Sequence, residues 1–332
     1  MTGRQEHDNE IEERIKKRLK NTPLVVKKYM TSIASLTAAT RNVYLGYIID
    51  FLGYLNKEYG IDGSSFDEFD SIKKMDIDGY IEYTKINPKT GKANGTSIRN
   101  SKISAAISFF GFLEDNDLIT KNPCSNIKKL KDNKERELTY LTREEIDDVK
   151  AKILSYGRGV NYEDPWRFRD YAIFVLGCST GLRNSAIREI NLSDLDLKNR
   201  KVIVTEKDSV TKIVLLNDNT CDAIRQWMIE RERLLTAKGK ESQALFISNQ
   251  MRRMTDVTLQ AVMKKYTSDM DKHITPHKMR STCGMHVYLA SGGNMALTAK
   301  VLGHKNIRNT QIYADATNEQ LREASDIMNS IV

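Results

Sequence analysis

The sequence predicts a mainly α-helical protein of two domains, with a small antiparallel β-sheet in the second domain. Apolar residues recur at helical spacing within 22–121, and a basic stretch without apolar periodicity follows at 122–137. The hydrophobic period then changes to that of strands in KVIVTEKDSVTKIVLL. With 332 residues, the chain is long enough to build a separate core in each domain.

The first 21 residues are almost all charged or polar, so we expect a separate N-terminal arm, either a solvated helix or disordered. Residues 22–121 predict a domain of about four helices. Its apolar stripes are formed by Tyr44, Tyr47, Ile48, Phe51 and Leu55, and by Ile103, Ala106, Ile107, Phe110 and Leu113.

Residues 122–137 predict an extended basic linker, and a second domain follows at 138–316. Thr142 and Glu145 have the spacing of a capping box, which predicts the start of the first helix of this domain. An apolar helix is expected at 166–178, running into the turn STGLR.

A β-hairpin is expected within residues 201–216, because Val202 and Val204 alternate with polar residues and a second apolar strand follows a short turn. ALFIS, at 244–248, predicts a third strand. Everything after Asp256 has a helical pattern, and 317–332 predicts a C-terminal helix.

Composition excludes some classes of protein and suggests others. A formal net charge of +8 favours a polyanionic partner, although basic balance alone is a weak indication. Neither a secretory leader nor an apolar run of membrane-spanning length is visible. The four cysteines are scattered, which argues against a structural zinc site or a disulfide framework and favours a reducing cytoplasm.

Six residues in the second domain are of the types needed to attack a phosphodiester without a metal. Arginine binds two phosphate oxygens at once and keeps its charge, whereas a phenol is a weak nucleophile that needs help with its proton. A departing 5′ oxygen must receive a proton. The candidate catalytic residues are Arg183, Lys207, His277, Arg280, His304 and Tyr313.

The local contexts of these residues are specific. Arg183 follows a turn at the start of a helix, and the HxxR spacing of His277 and Arg280 places both on one helix face. Asn309 is the expected N-cap of a short helix that carries Tyr313. Lys207 lies at the hairpin turn, with Lys212 as the less favoured alternative.

The motifs TGLR, HxxR and LGHxxxxxTxxY, in this order and at these separations, resemble those of the tyrosine recombinases, the phage-integrase and Xer-like family. The resemblance implies that Arg183 and Arg280 clamp the phosphate, while His277 binds it or helps to take the proton from the phenol. Lys207 would protonate the leaving 5′ oxygen, and His304 would bind a non-bridging oxygen. Tyr313 would form a 3′-phosphotyrosyl bond, and no metal, cofactor or ATP would be required.

The resemblance also implies an architecture. Residues 22–121 would be a SAM-like core-binding domain that closes with the catalytic domain around double-stranded DNA. The C-terminal helix would dock on a neighbouring protomer in a tetramer on DNA, although packing on its own domain stays open. The protein would be cytoplasmic and associated with the nucleoid.

One position departs from the family pattern. The family usually has an acidic residue three positions after the first arginine, and Ala186 stands there. Its absence weakens the support of the active-site cations, and Glu189, one turn further on, is the candidate substitute.

Other cations are candidates for DNA contact outside the active site. These are Lys128, Lys129, Lys131 and Lys134 in the linker and Arg99 and Lys102 in the helical domain. The alternative for the linker is a solvated tether, and for the helical domain an exposed charged face.

The leading functional hypothesis is a site-specific recombinase that integrates and excises a mobile element through a Holliday junction, with an accessory directionality factor as a further partner. The alternatives are an Xer-like chromosome or plasmid resolvase and a type IB topoisomerase. A third, of another class, is a DNA-binding regulator whose catalysis is weakened by Ala186.

Overall fold

The computed structural model describes residues 2–131, 138–159, 162–205, 211–272, 274–304 and 306–316. The chain forms two compact units, Gln5–Glu135 and Arg136–Val332, and the first four residues belong with the second unit. Each unit has a hydrophobic core of its own. Within the described ranges, no helix combines the length and the apolarity needed to cross a membrane.

The N-terminal unit is built from helices joined by short turns. They are α1 (Gly3–Leu19), α2 (Leu24–Ser32), α3 (Ala38–Tyr59), α4 (Lys74–Tyr83) and α5 (Thr96–Asp115). The long helix α3 begins at the N-cap Thr37, whose side chain accepts a hydrogen bond from the Thr40 amide, and it ends at the left-handed Gly60. The four helices predicted in 22–121 are therefore present as α2 to α5.

Helix α1 corrects the expectation of a separate N-terminal arm. Its sequence is mostly charged, but Ile11 and Ile15 lie one turn apart and are buried at 5% and 2% exposure in the core of the N-terminal unit. Two apolar residues four positions apart suffice to seat a helix on one face while its charged residues remain solvated. Residues 5–19 are thus part of the helical unit.

The second unit combines helices with a small sheet. Its helices are α6 (Arg143–Ser155), α7 (Trp166–Thr180), α8 (Asn184–Glu189), α9 (Asp218–Ala237), α10 (Asp256–Thr267), α11 (Pro276–Ala290), α12 (Met295–Leu302) and α13 (Gln311–Asp315). Its strands are β1 (Arg158–Gly159), β2 (Tyr162–Glu163), β3 (Leu195–Asp196), β4 (Lys201–Thr205) and β5 (Thr211–Leu215). The capping box predicted at the start of α6 is present, since the side chains of Thr142 and Glu145 each accept from the other's backbone amide.

The expected hairpin is confirmed, and the third strand is found elsewhere than predicted. Strands β4 and β5 are antiparallel with Val202 opposite Val214, and β3 adds to the other edge of β4. Residues 244–248 are not a strand of this sheet. Residues 244–247 are buried in the core, and Ala244 and Ile247 make isolated bridges. An apolar run this short can cross a core without pairing as a strand.

Candidate active site

One cleft in the second unit brings the predicted catalytic residues together. It encloses about 560 Å³ and is lined by Leu138, Arg183, His277, Lys278, Arg280, Ser281, His304, Arg308, Asn309, Ile312 and Tyr313. Five of the six candidates are therefore neighbours in space, although Arg183 and Tyr313 are 130 positions apart in the chain. The sixth, Lys207, lies outside the described residues.

Arg183 is positioned by the turn between α7 and α8. Helix α7 ends at Gly181, which has a left-handed backbone with φ 61°, and Arg183 is the N-cap residue of α8. Any side chain at position 181 would also collide with α11 and α12, because a Cβ there would lie 2.5 Å from Leu302 Cδ2 and 3.2 Å from Cys283 Sγ. Close packing of this turn on the later helices carries Arg183 into the cleft.

Arg280 connects the segments that carry the other site residues. Arg280 is 3% exposed, and its guanidinium donates to the Gly181 carbonyl at 2.7 Å and to the Leu302 carbonyl, also at 2.7 Å. The first carbonyl belongs to the Arg183 turn, and the second lies two residues before His304. Because arginine offers five donors in a rigid fork, it can hold both carbonyls and still present N–H groups to a phosphate.

His277 lies at the open N-terminal end of α11, whose first residue is Pro276. Desolvation and then the positive charges of Arg280, Lys278 and Arg183 lower the pKa of His277 below its ordinary value of 6.5. The imidazole is therefore neutral at pH 7, which suits it to accept a proton or to donate one hydrogen bond to a phosphate.

His304 is held by the end of α12 and by Thr310. Its amide donates to the Ala299 carbonyl at 2.9 Å after the left-handed Gly303, and its Nδ1 lies 2.9 Å from Thr310 Oγ1. When the Thr310 hydroxyl donates to Nδ1, the proton of the neutral ring is on Nε2, where it can serve an oxygen of a phosphate. Thr310 is fully buried, so its hydroxyl is held beside this nitrogen.

Tyr313 lies in the short helix α13 and is 4% exposed. Burial raises the pKa of its phenol above 10, and the Arg280 charge opposes that rise. The expected N-cap at Asn309 is wrong: Asn306 caps a preceding 3-10 turn at Ile307–Thr310, which leads directly into α13. Asn309 has the right residue type for a cap, but an extra turn of helix precedes it.

Residues 139–320 match the model of the phage integrase family, a match that spans more than half of the chain. The chain is also 30% identical over 320 residues to the tyrosine recombinase XerC of Caldanaerobacter subterraneus subsp. tengcongensis, covering 91% of this chain and 86% of the relative. The protein is a tyrosine recombinase of the phage integrase family. It is 29% identical over 285 residues to the tyrosine recombinase XerD of Oceanobacillus iheyensis, covering 85% and 90% of the two chains.

Solved structures share the fold of this recombinase. The XerH site-specific recombinase in a pre-cleavage complex with its difH substrate aligns with a TM-score of 0.63 at 17% identity, covering 91% of this chain and 83% of that chain. The Tn1549 transposon integrase in complex with circular intermediate DNA aligns with a TM-score of 0.61 at 20% identity, covering 92% and 99%. The predicted fold class and the predicted site-specific recombinase activity are confirmed.

Neither Ala186 nor Glu189 is among the residues that line the cleft. Ala186 is 2% exposed in the core of the recombinase. The Glu189 carboxylate accepts from Arg188 at 2.9 Å, and Arg188 also donates to Asp256 at 3.2 Å. This ion-pair group, together with Arg253, which donates to the Arg188 carbonyl at 3.0 Å, fixes the far end of α8.

Several residues of the cleft wall are not predicted by the sequence motifs. Lys278 and Arg308 add positive charge, and Leu138 adds an apolar wall. Leu138 lies there because two side chains of α11 hold the chain nearby. Thr282 accepts from the Leu141 amide at 3.0 Å, and His286 Nε2–H donates to the Leu141 carbonyl at 2.9 Å. Of these three wall residues, only Arg308 could have been suspected from the sequence, because its charge lies within the motif that carries Tyr313.

Two of the expected DNA-contact residues in the helical unit are engaged within the protein. Lys102 is 7% exposed, and its ammonium donates to Asp50 at 2.6 Å, so it forms an ion pair within the unit and is not part of an exposed charged face. Arg99 is half-buried and donates to Thr84 Oγ1 and to the Ile81 carbonyl at the end of α4. Its guanidinium completes the cap of α4 instead of standing free on the surface.

The lysines in the described part of the basic linker are exposed, and the backbone beside them is held in place. Lys128, Lys129 and Lys131 are exposed, and Lys134 lies outside the described residues. Between them, Leu130 is pinned by the Asn100 amide, which donates to the Leu130 carbonyl at 2.9 Å and accepts from its N–H at 2.8 Å. The three lysines are therefore presented from a backbone that is fixed to α5.

Proposed function

We propose that Tyr313 of this recombinase attacks a DNA phosphodiester that is bound by Arg183, Arg280 and His304. The observation that carries the proposal is the buried Arg280, whose two hydrogen bonds draw the Arg183 turn and the His304 segment to one cleft with Tyr313. Fixed cations around the phosphate stabilise the additional negative charge of the transition state, and they need no reorganisation during the reaction.

In the proposed cleavage step, the Tyr313 oxygen forms a bond to phosphorus while the bond from phosphorus to the 5′ oxygen breaks. His277 takes the phenol proton. Because its pKa is lowered, the ring is neutral at neutral pH and can accept that proton. Lys207 gives a proton to the 5′ oxygen, a role assigned from its place in the sequence. The 3′-phosphotyrosyl bond conserves the energy of the cleaved bond, so religation reverses the step without ATP or a metal.

The partner that this chemistry requires is double-stranded DNA. The net charge of +8 supports contact with the DNA phosphate backbone, and so do the exposed lysines that flank the fixed Leu130 in the linker. The XerH and Tn1549 structures are described as complexes with a recombination substrate and with circular intermediate DNA, and we carry that class of substrate over to this chain. Activity on such DNA would place the enzyme in the cytoplasm, at the nucleoid.

Strand exchange through a Holliday junction would require four protomers on two duplexes, with residues 317–332 docking between neighbours. These residues lie outside the described part of the chain. The charged helix α1 in addition to the two-domain plan favours integration and excision of a mobile element, with an accessory directionality factor. The 30% identity to a XerC over nearly the whole chain favours the alternative of chromosome or plasmid resolution.

A nicked duplex that carries the recombination site tests the chemistry. The nick lets the cleaved fragment diffuse away, so a covalent protein–DNA adduct accumulates and is seen after denaturation. We expect the adduct with wild type and none with Tyr313→Phe. Tyr288→Phe is the matched control, because it removes a phenol oxygen from the same apolar cluster and should keep the adduct. An adduct of wild-type yield with Tyr313→Phe would exclude Tyr313 as the nucleophile.

A further inference from the structure

The contact between Tyr313 and Gly284 has a geometry that only glycine allows. A Cβ built on Gly284 would lie 2.5 Å from the Tyr313 hydroxyl oxygen and 2.7 Å from its Cε1, both within the distance at which atoms collide. Gly284 is in the middle of α11, where glycine weakens the helix. Its backbone conformation is ordinary, since it is not among the glycines with positive φ, so the conformational freedom of glycine does not explain its presence.

This contact places the phenol over the middle of α11. Gly284 lies four residues beyond Arg280 and seven beyond His277 on α11, a rise of about 6 Å and about 10 Å along the helix. Of the clamp residues, Arg280 is carried by α11 and lies nearer its N-terminal end, whereas the hydroxyl contacts Gly284 in its middle. Among the described residues, none is hydrogen-bonded to the Tyr313 hydroxyl, so no clamp residue activates it in this position.

The remaining walls of this seat are apolar. Tyr313 belongs to a small cluster with Cys283, Met285, Tyr288 and Leu302. Leu138 and Tyr140 pack on it from the start of the catalytic unit, next to the Leu141 backbone that α11 grips. A phenol in such surroundings is poorly solvated, which agrees with its raised pKa.

We propose that Gly284 is a positioning residue for the nucleophile: its missing side chain forms a seat that holds Tyr313 at rest against α11, and the phenol leaves this seat to attack. The proposal rests on Tyr313 being the nucleophile. Since Tyr313 is carried on the five-residue helix α13, the tyrosine is the group that gives way when the seat is filled. Gly284→Ala should therefore release the phenol while α11 stays intact.

The test compares Gly284→Ala with wild type and with Gly111→Ala. Gly111 is also inside a helix, but a Cβ there meets nothing within 4 Å, so it controls for the change in helix propensity. Full-length protein without DNA is nitrated with tetranitromethane, and modification of each tyrosine is followed by peptide mapping. We expect nitration of Tyr313 to accelerate by about fivefold or more in Gly284→Ala, since the seated population is lost, and to stay unchanged in Gly111→Ala.

The second measurement is the rate of adduct formation at saturating nicked duplex. A seat used only at rest predicts a rate for Gly284→Ala equal to or above that of wild type. A lower rate with unchanged DNA affinity would overturn the proposal, because the seat would then be the attacking position. Unchanged nitration of Tyr313 would overturn it as well.

Wild-type protein alone gives a test that does not depend on the folding of the variant. Tyr59 and Tyr156 are 43% and 46% exposed, against 4% for Tyr313. We expect Tyr313 to be nitrated far more slowly than either, and equal rates would contradict a seated phenol. Adduct formation by Tyr313→Phe would contradict the proposed function without changing the nitration result. Failure of the proposed function and failure of the seat can therefore be told apart.

Discussion

The two units differ in how well their functional cations could be recognised from the chain. In the catalytic unit, the described candidates Arg183, His277, Arg280 and His304 all line one cleft with Tyr313. In the helical unit, both chosen cations are engaged within the protein, Lys102 with Asp50 and Arg99 with the end of α4. The first group was chosen because a reaction requires those residue types at set spacings, the second because of charge alone. Charge without a chemical constraint does not distinguish a DNA contact from a structural ion pair.

The largest effect is expected when Arg280 is replaced, because it is at once clamp and connector. Arg280→Ala should lower the rate of adduct formation by more than about 1,000-fold, against on the order of 100-fold for Arg183→Ala. It also leaves the Gly181 and Leu302 carbonyls without their donor, so the free energy of unfolding should fall by about 2–4 kcal/mol.

Adduct kinetics and urea unfolding of both variants provide the measurement. Arg280→Lys keeps the charge but cannot hold both carbonyls, so it should resemble Arg280→Ala in stability. Equal stability of Arg280→Ala and Arg183→Ala would show that the connecting role is negligible.

Ala186 gives the next largest effect, and the structure changes what is expected there. The side chain at this position is buried, so Ala186→Glu should lower the free energy of unfolding by about 2–4 kcal/mol through overpacking and an unsolvated carboxylate. Adduct formation should not rise. Ser185→Glu, on the exposed neighbouring position, is the control for added charge. A stable and faster Ala186→Glu enzyme would mean that the missing carboxylate limits catalysis.

The pH dependence of cleavage tests His277 specifically. Because its pKa is lowered below 6.5, the ring is neutral at pH 7 and becomes protonated only at more acid pH. Adduct formation at limiting DNA should therefore be flat near neutrality and fall below pH 6.5, as the base is lost. His277→Asn should be slower by about 10- to 100-fold and should lack this acid limb. A wild-type midpoint above 6.5 would contradict the assignment.

The smallest effects separate the structural lysine from the exposed ones. Lys102→Ala should lower the free energy of unfolding by about 1–3 kcal/mol, since Asp50 loses its partner, and should leave the salt dependence of DNA affinity unchanged. Lys129→Ala should leave stability unchanged and reduce the slope of log affinity against log salt by about 0.9. Denaturation curves and binding isotherms at several salt concentrations measure both. The reverse pattern would restore Lys102 as a DNA contact.

Sequence reasoning succeeded where the pattern was periodic or chemical. Helical stripes predicted α3 and α5, alternation predicted the hairpin, and the three motifs predicted the cleft. It failed where two residues decide the outcome: Ile11 and Ile15 are too few to mark α1 as part of a core. The two-residue strand β3 carries no readable period at all.

The cleft walls escaped prediction for a related reason. Leu138 and Lys278 reach the site through packing between distant segments, as in the grip of Thr282 and His286 on the Leu141 backbone. Nothing local in the sequence reports such contacts. The role proposed for Gly284 depends on a tyrosine that is 29 positions away in the chain.

Arg280 ties two backbone segments together whether or not a phosphate is bound, and this bears on how such an enzyme can decay. A lineage that no longer needs recombination can lose Tyr313 or the Arg183 side chain and keep a folded, DNA-binding protein. Loss of Arg280 would instead release the segments that shape the unit. Inactive descendants of this enzyme should therefore retain Arg280 longest, because its structural role remains after catalysis is lost.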